Sequence, residues 1–321
     1  MKYNVVIDCL GSDKGPTAII EGAIKSLNKF SDLFVTLAGP KDLIDNMMKE
    51  ANISIERYGV LDASETITNY ENPTVGVMSK PQASLVQAFK EAGKDENIGV
   101  ITAGNSGAIL MGGLRFLSSP ERTRPCMGAV LPNAKGGFTI LVDTGASIDV
   151  GPSELVSFAH LGSDFMKKLY KLESPRVGIL SNGAEKGKGN HLVKETYPLL
   201  EADEKINFVG NIEGNMSLAG EGDVLVCDGF AGNQVLKNSE GMAKLLITEI
   251  VKFSKMNNKP ELMEVVGYLM SKYDFGSLGG GIVLGVRKPI LKCRGNSDAA
   301  AIVSTVQMLI NFAEGASMYS K

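Results

Sequence analysis

The chain has 321 residues, 33 Lys and Arg against 36 Asp and Glu for a net charge of −3, and 44% hydrophobic residues. That balance sets aside a disordered chain and a surface dominated by a nucleic-acid footprint. No run approaches the ~18 apolar residues of a membrane span, and Cys9, Cys126, Cys227 and Cys293 are scattered without a CxxC pair, against a zinc site or disulfide framework.

The first apolar run, Val5 to Ile7, reads as a strand and lies so near Met1 that no signal peptide is expected. A reducing cytosol is the expected compartment. After Asp8 and the loop Gly11-Ser12-Asp13-Lys14-Gly15-Pro16, a helix is predicted from Thr17, with Ile19, Ile20, Ala23, Ile24 and Leu27 on one face. The same order recurs. Val100-Ile101 leads through Ala103-Gly104-Asn105-Ser106-Gly107 into an apolar helix, and Thr139 to Val142 leads through Asp143-Thr144-Gly145-Ala146 to a helix from Ser153 to Tyr170. Val177 to Leu180 leads into Ser181-Asn182-Gly183 and a Lys/Gly-rich stretch ending at Asn190. Asp223 to Cys227 leads into Asp228-Gly229-Phe230-Ala231-Gly232-Asn233 and a helix running to about Ser254. Asn258-Lys259-Pro260 then reads as an N-cap with Pro in the first turn of a second apolar helix, carrying Leu262, Met263, Val266, Leu269, Met270 and Tyr273. Continuous apolar strands alternating with helices predict an α/β fold: a large, mostly parallel sheet with helices on both faces. The whole of 1–321 is read as one domain, with a protruding helical hairpin over 241–275 that faces either a membrane or another subunit.

Glycine is in excess, 37 of 321 residues against a usual ~7%, and much of it follows the apolar runs. Parallel sheets place ligands at the carboxyl ends of their strands. Glycine there lets backbone N–H groups approach an anion, and the next helix adds its positive end. Gly, Asn and Asp are also ordinary turn and cap residues; for one loop both readings stand, and for five loops on one edge the anion site is favoured. Gly183-Ala184-Glu185-Lys186-Gly187-Lys188-Gly189 misses the Walker pattern, because three residues separate Gly183 from Gly187 and Gly189 stands where Ser or Thr should be. Gly11 and Gly15 do not make a dinucleotide fingerprint. What remains is a glycine-lysine loop, fit for a smaller anion or simply an exposed charged turn. The two histidines, His160 and His191, are read as packed or surface residues, and no G-x-S-x-G is present, which argues against a Ser-His-Asp acyl-enzyme. No metal ligand set and no cofactor is predicted. Acyl transfer needs none of these if phosphate is itself the nucleophile and a thiol of pKa ~8.5 is the leaving group. Such a reaction needs anion-binding N–H groups, a cation, oxyanion donors and orientation.

Asp8 to Asp13, Ala103 to Ala108, Arg124-Pro125, Asp143 to Ala146, Lys188-Gly189-Asn190, Gly210 to Gly214, Val226 to Asn233 with Leu236-Lys237, Gly279-Gly280 with Leu284-Gly285, and Gly295 to Ala299 occur in this order and spacing. In these stretches the chain resembles the bacterial phosphate acyltransferase family (PlsX). The family's opening D-x-M-G-G-D carries Leu10 and Ser12 here, and its late H-G-x-S reads Arg294-Gly295-Asn296-Ser297. The resemblance implies a fold similar to the isocitrate/isopropylmalate dehydrogenases. It implies an enzyme that turns acyl-(acyl carrier protein) and inorganic phosphate into acyl phosphate and free carrier protein, in the route to phosphatidic acid. It also implies a homodimer and a cytosolic protein with peripheral membrane contact, feeding a glycerol-3-phosphate acyltransferase that uses acyl phosphate. A coenzyme A-dependent phosphotransacetylase is the second reading. Lys188 is favoured over Lys186 as the functional cation, with Gly104, Asn105 and Ser106 holding phosphate and Asn105, Asn233 and Ser297 as hydrogen-bond donors. Gly11, Asp13, Gly183, Gly189 and Gly232 complete the expected binding set, with Asp228 beside the catalytic groups. Asp8, Asp13, Asp143 and Asp228 are expected to orient loops rather than act as bases. An acidic carrier protein calls for a basic face, for which Arg122, Arg124, Arg287, Lys288, Lys292 and Arg294 are candidates.

Overall fold

The computed structural model describes residues 1–119, 123–273 and 280–315, so Arg122 and Gly279 lie outside the described residues. The chain begins β1 (Tyr3–Asp8), α1 (Pro16–Lys29), β2 (Leu33–Gly39), α2 (Lys41–Glu50), β3 (Tyr58–Asp62), α3 (Pro73–Ser79), α4 (Ser84–Ala92), β4 (Asn97–Thr102) and α5 (Ser106–Phe116). It continues through β5 (Cys126–Pro132), β6 (Phe138–Val142), α6 (Pro152–Tyr170), β7 (Arg176–Ser181), α7 (His191–Ala202), β8 (Asn207–Glu213) and β9 (Val224–Val226). Last come α8 (Gly229–Met256), α9 (Leu262–Tyr273), β10 (Gly281–Leu284), β11 (Ile290–Lys292) and α10 (Ala299–Glu314). The chain read as one domain sorts into two compact units: Met1–Met127 with Lys168–Lys171 and Gly279–Lys321, and Gly128–Lys167 with Leu172–Leu278.

In the first unit the strands run β3-β2-β1-β4-β11-β10, parallel except for the β10–β11 pair. Val5, Val6, Ile7 and Asp8 are all buried in succession. Because alternate residues of a strand point to opposite faces, both faces of this sheet are covered. α4 and α10 each pack on β1 and β4, and α1 packs on α10, where Gly22 leaves the space that the Ile302 side chain fills.

In the second unit the order is β5-β6-β9-β7-β8, parallel except for β5–β6. The apolar triplet Val224-Leu225-Val226 is the buried central strand, against which Gly162 of α6 brings its backbone close. α8 is 28 residues long and opens with Asp228 as its N-cap, so the expected hairpin is the second half of a longer helix, packed on α9.

The connection between α8 and α9 differs from the sequence reading. Asn258 is not an N-cap: it takes a left-handed φ of 48°, a conformation Asn tolerates. Ser254 and Lys259 close the turn, Ser254 Oγ donating to the Lys259 carbonyl at 2.7 Å. Pro260 therefore precedes α9 rather than sitting in its first turn. His160, on α6, has Nε2 2.7 Å from Asp203 Oδ2, and His191 is the exposed first residue of α7. Among the described residues no helix is long and apolar enough to cross a membrane.

Candidate active site

In the first unit the loops after β1 and β4 are held from below by one carboxylate. Asp8 is 1% exposed and accepts hydrogen bonds from Ser84 Oγ at 2.6 Å, Thr102 Oγ1 at 2.7 Å and the Leu10 amide at 3.2 Å. Burial pushes its carboxyl above the ordinary Asp value, while the Ser84, Thr102 and Leu10 hydrogen bonds pull the other way. Thr102 Oγ1 in turn accepts from the Gly104 amide at 3.0 Å, so the position of Gly104 passes through Thr102 to Asp8. Gly11 lies against the backbone of Gly104, where a Cβ would come 2.6 Å from the Gly104 Cα. The Asp13 amide and Ser12 Oγ both donate to the Gly295 carbonyl, at 2.7 and 3.0 Å, and a side chain at Gly295 would collide with the Asp13 carboxylate. Among the described residues the non-glycines with positive φ are Asn52, Lys171 and Asn258, so Ser12 replaces the family's glycine without left-handed strain. Ser297 closes the neighbouring turn, its amide donating to the Arg294 carbonyl at 3.0 Å.

Asn105 caps α5: its Oδ1 accepts from the Ala108 amide at 3.1 Å, and its Nδ2 donates to the Thr68 carbonyl at 3.2 Å. Its side chain thus orients the helix start, and Ser106 is the first helical residue, with first-turn amides pointing out of the helix end.

In the second unit, Asp143 is fully buried and accepts from the Ala146 and Ser147 amides at 3.1 and 2.6 Å. Asp228 accepts from the Ala231 amide at 2.8 Å as the cap of α8. Gly232, one turn on, lies so close to the Asp143 carbonyl that no side chain fits, and Asn233 Nδ2 donates to the Thr144 carbonyl at 3.2 Å. The stem of Lys188 crosses Gly183, where a Cβ would come 2.7 Å from Lys188 Cγ. Among the described residues nothing pairs with the exposed Lys188 ammonium. Lys186, in contrast, is engaged: its ammonium is 2.7 Å from Glu201 Oε1 and 5.3 Å above the Tyr197 ring. Gly189 turns the loop at φ 106°, its amide donating to Asn182 Oδ1 at 2.9 Å, and Asn190 caps α7 through the Val193 amide at 3.0 Å.

Beside this loop the second unit holds a cleft of about 520 Å³. Gly189 and Asp228 line it, with Ser181, Asn182 and Asn190. The apolar walls escape a reading of the sequence by loops, although Ala231 and Val235, which line the cleft, are spaced i, i+4 on α8 and so share a face. The predicted residues therefore fall into two sets. Gly11, Asp13, Gly104, Asn105, Ser106 and Ser297 belong to the first unit; Gly183, Lys188, Gly189, Asp228, Gly232 and Asn233 belong to the second. Of the expected basic face, Arg287 and Lys288 are engaged with backbone carbonyls of the first unit, Arg287 with Gly93 at 3.0 Å and Lys288 with Asn97 at 2.7 Å.

The model of a family described as fatty acid synthesis protein matches residues 3–318. The chain is 36% identical over 316 residues to a phosphate acyltransferase of Clostridium perfringens, covering 97% of this chain and 93% of that protein. Among solved structures it is similar to a phosphotransacetylase from Streptococcus pyogenes, with a TM-score of 0.65, 13% identity, and 98% and 94% of the two chains covered. It is also similar to 4-hydroxythreonine-4-phosphate dehydrogenase from Klebsiella pneumoniae, with a TM-score of 0.55, 14% identity, and 98% and 100% covered. At those identities the two structures establish the fold, and they agree with the mostly parallel α/β architecture expected from the alternation of apolar strands and helices.

Proposed function

Because the chain belongs to the fatty acid synthesis protein family and is, with its relatives, an acyltransferase, we propose that it converts acyl-(acyl carrier protein) and inorganic phosphate into acyl phosphate and free carrier protein. A phosphate oxygen attacks the thioester carbonyl, the new C–O bond forms, the C–S bond breaks, and the carrier thiolate leaves and takes up a proton from solvent. The observation that carries this reading is the Lys188 loop. It presents an ammonium unpaired among the described residues on a stem braced over Gly183, while the competing Lys186 is tied to Glu201. A cation held in this way complements the phosphate charge without a protein nucleophile. Within the first unit the amides of Asn105 and Ser106 are the anion-binding element, since that of Gly104 is engaged with Thr102, and Ser297 supplies a further donor; within the second unit Asn233 does so. Asp228 and Asp13 act through the backbone they cap and brace.

The product is a reactive mixed anhydride, which fits a place before a glycerol-3-phosphate acyltransferase in the route to phosphatidic acid. A cytosolic homodimer with peripheral membrane contact fits the hairpin, where Leu245, Leu246, Phe253, Met256, Tyr268 and Met270 are all exposed. The test mixes purified protein, palmitoyl-carrier protein and phosphate without added metal or nucleotide, and traps the product with hydroxylamine. Hydroxamate should appear in step with free carrier thiol. Thiol release with no hydroxamate, or a stable acyl group on a side chain that turns over, overturns the mechanism. Faster reaction with acetyl-coenzyme A than with palmitoyl-carrier protein would instead select the phosphotransacetylase reading.

A further inference from the structure

We infer that the cleft of the second unit seats the aliphatic chain of the acyl donor and sets its length preference, an assignment that rests on the acyl-phosphate reading above. Its volume of about 520 Å³ is in the range of small-molecule sites. At about 30 Å³ for a group the size of a water or methylene, it has room for a chain on the order of fifteen carbons. The walls are Leu155, Ile179, Leu180, Leu192, Val193 and Val235. Asp228 is the one charged residue among those lining the cleft, and its carboxylate is turned to the cap of α8. The apolar part of that lining suits an uncharged methylene chain, while Ser181, Asn182 and Asn190 are its uncharged polar members.

Two further observations fix the orientation and the length. Ser181 lines the cleft, and its Oγ is buried with no hydrogen-bond partner among the described residues. A buried hydroxyl left unpaired is unfavourable, and a thioester carbonyl oxygen seated beside it would accept its hydrogen bond. That places the reacting carbon at the end of β7 where the Lys188 loop begins, between Ser181 and Gly189. Leu180, Ala231 and Val235 are themselves packed against the buried cluster of Leu131, Leu141, Ile212 and Leu225. A wall backed by a close-packed core does not yield to a longer chain, so the cleft measures length.

The test compares hydroxamate formation from octanoyl- and palmitoyl-carrier protein by the wild type, Val235→Phe, which narrows the cleft, and Leu180→Ala, which widens it. Val235→Phe should lower the palmitoyl-to-octanoyl ratio of kcat/KM by about fourfold for each methylene displaced, and Leu180→Ala should raise it. Folded variants of both kinds with the wild-type ratio would overturn the assignment. If Val235→Phe does not fold, the direction of the Leu180→Ala ratio decides. If the wild type forms no acyl phosphate from either donor, the reaction reading fails, and calorimetric titration with palmitate then decides the cleft on its own. Weaker palmitate binding by Val235→Phe than by wild type supports an aliphatic-chain site, and equal binding overturns it.

Discussion

Replacing Lys188 by alanine should raise the KM for phosphate by about ten- to a hundredfold. The size follows from what the ammonium offers. A hydrogen bond to a charged group contributes about 1.5–3 kcal/mol, and each ~1.4 kcal/mol is a factor of ten in binding. Lys188 is exposed, so solvent screening moves the effect toward the lower end of that range. Two controls come from its surroundings. Lys186→Ala removes a cation already paired with Glu201 at 2.7 Å and should leave the phosphate dependence near wild type. Gly183→Ala leaves the cation but displaces its stem, because the new methyl would stand 2.7 Å from Lys188 Cγ; it should therefore reproduce part of the Lys188→Ala effect. The assay is the initial rate of hydroxamate formation across phosphate concentrations at fixed acyl donor, repeated at high salt, where the gap between wild type and variant should narrow. A KM rise with little change in kcat would assign Lys188 to ground-state phosphate binding, whereas an equal loss in kcat would place its contribution in the transition state. A wild-type phosphate dependence in Lys188→Ala, or an equal rise in Lys186→Ala, refutes the assignment.

Gly232→Ala should cost about 1–3 kcal/mol or more, because the new methyl falls on the Asp143 carbonyl, and thermal unfolding should show a lowered midpoint; an unchanged midpoint would mean that the start of α8 moves freely. Asp8→Asn should alter the pH dependence of stability. A carboxyl whose folded-state pKa lies above its unfolded value stabilises the fold below the unfolded value, and loses that contribution as pH rises through the folded one. Since Asp8 is raised from 3.8 by burial, the wild-type stability relative to Asp8→Asn should fall as pH rises from about 4 upward, as read by urea unfolding. A pH-independent difference contradicts it. On α9, Leu269→Asp with Met270→Asp should release the protein from anionic vesicles in a flotation assay, and retained binding by the folded variant would move the hairpin's role from lipid to another protein surface.

The sequence makes the strands legible where a continuous apolar run ends in a polar loop, as at Thr139 to Val142 and Val177 to Leu180, which form β6 and β7. β10 and β11 have four and three residues, too short to carry a period of their own. They exist because β11 pairs beside β4 and β10 beside β11, a long-range condition that no local pattern records. At Asn258 to Pro260 the sequence pattern points to an N-cap and the structure has a left-handed turn, because both draw on the same residue type. Family resemblance favours Lys188 over Lys186. The physical distinction between them, the pairing of Lys186 with Glu201, spans 15 positions and needs the structure. Arg287 and Lys288 are candidates for a basic face on charge alone; their donation to the carbonyls of Gly93 and Asn97 connects segments nearly two hundred residues apart and leaves both cations charged.

Glycine is where sequence and structure differ most usefully. The excess suggests loops opened to an anion, yet Gly11 and Gly232 are required for a different reason. Each lets one backbone segment press on another, Gly11 on Gly104 and Gly232 on the Asp143 carbonyl. The Gly104 amide is itself engaged with Thr102, and the Asn105 and Asp228 side chains are engaged as helix caps. The strand-end loops are thereby locked, each within its own unit, rather than left open. For a reaction whose nucleophile is a substrate, that locking has a chemical consequence. Such catalysis depends on donors and cations already standing where charge will develop, and a loop that had to be ordered on binding would lose much of the benefit. Glycines packed backbone to backbone would therefore serve the proposed anion site indirectly, by fixing the helix starts and loop amides beside them, and the Lys188 stem braced over Gly183 would hold its ammonium, unpaired among the described residues, in the same prepared way.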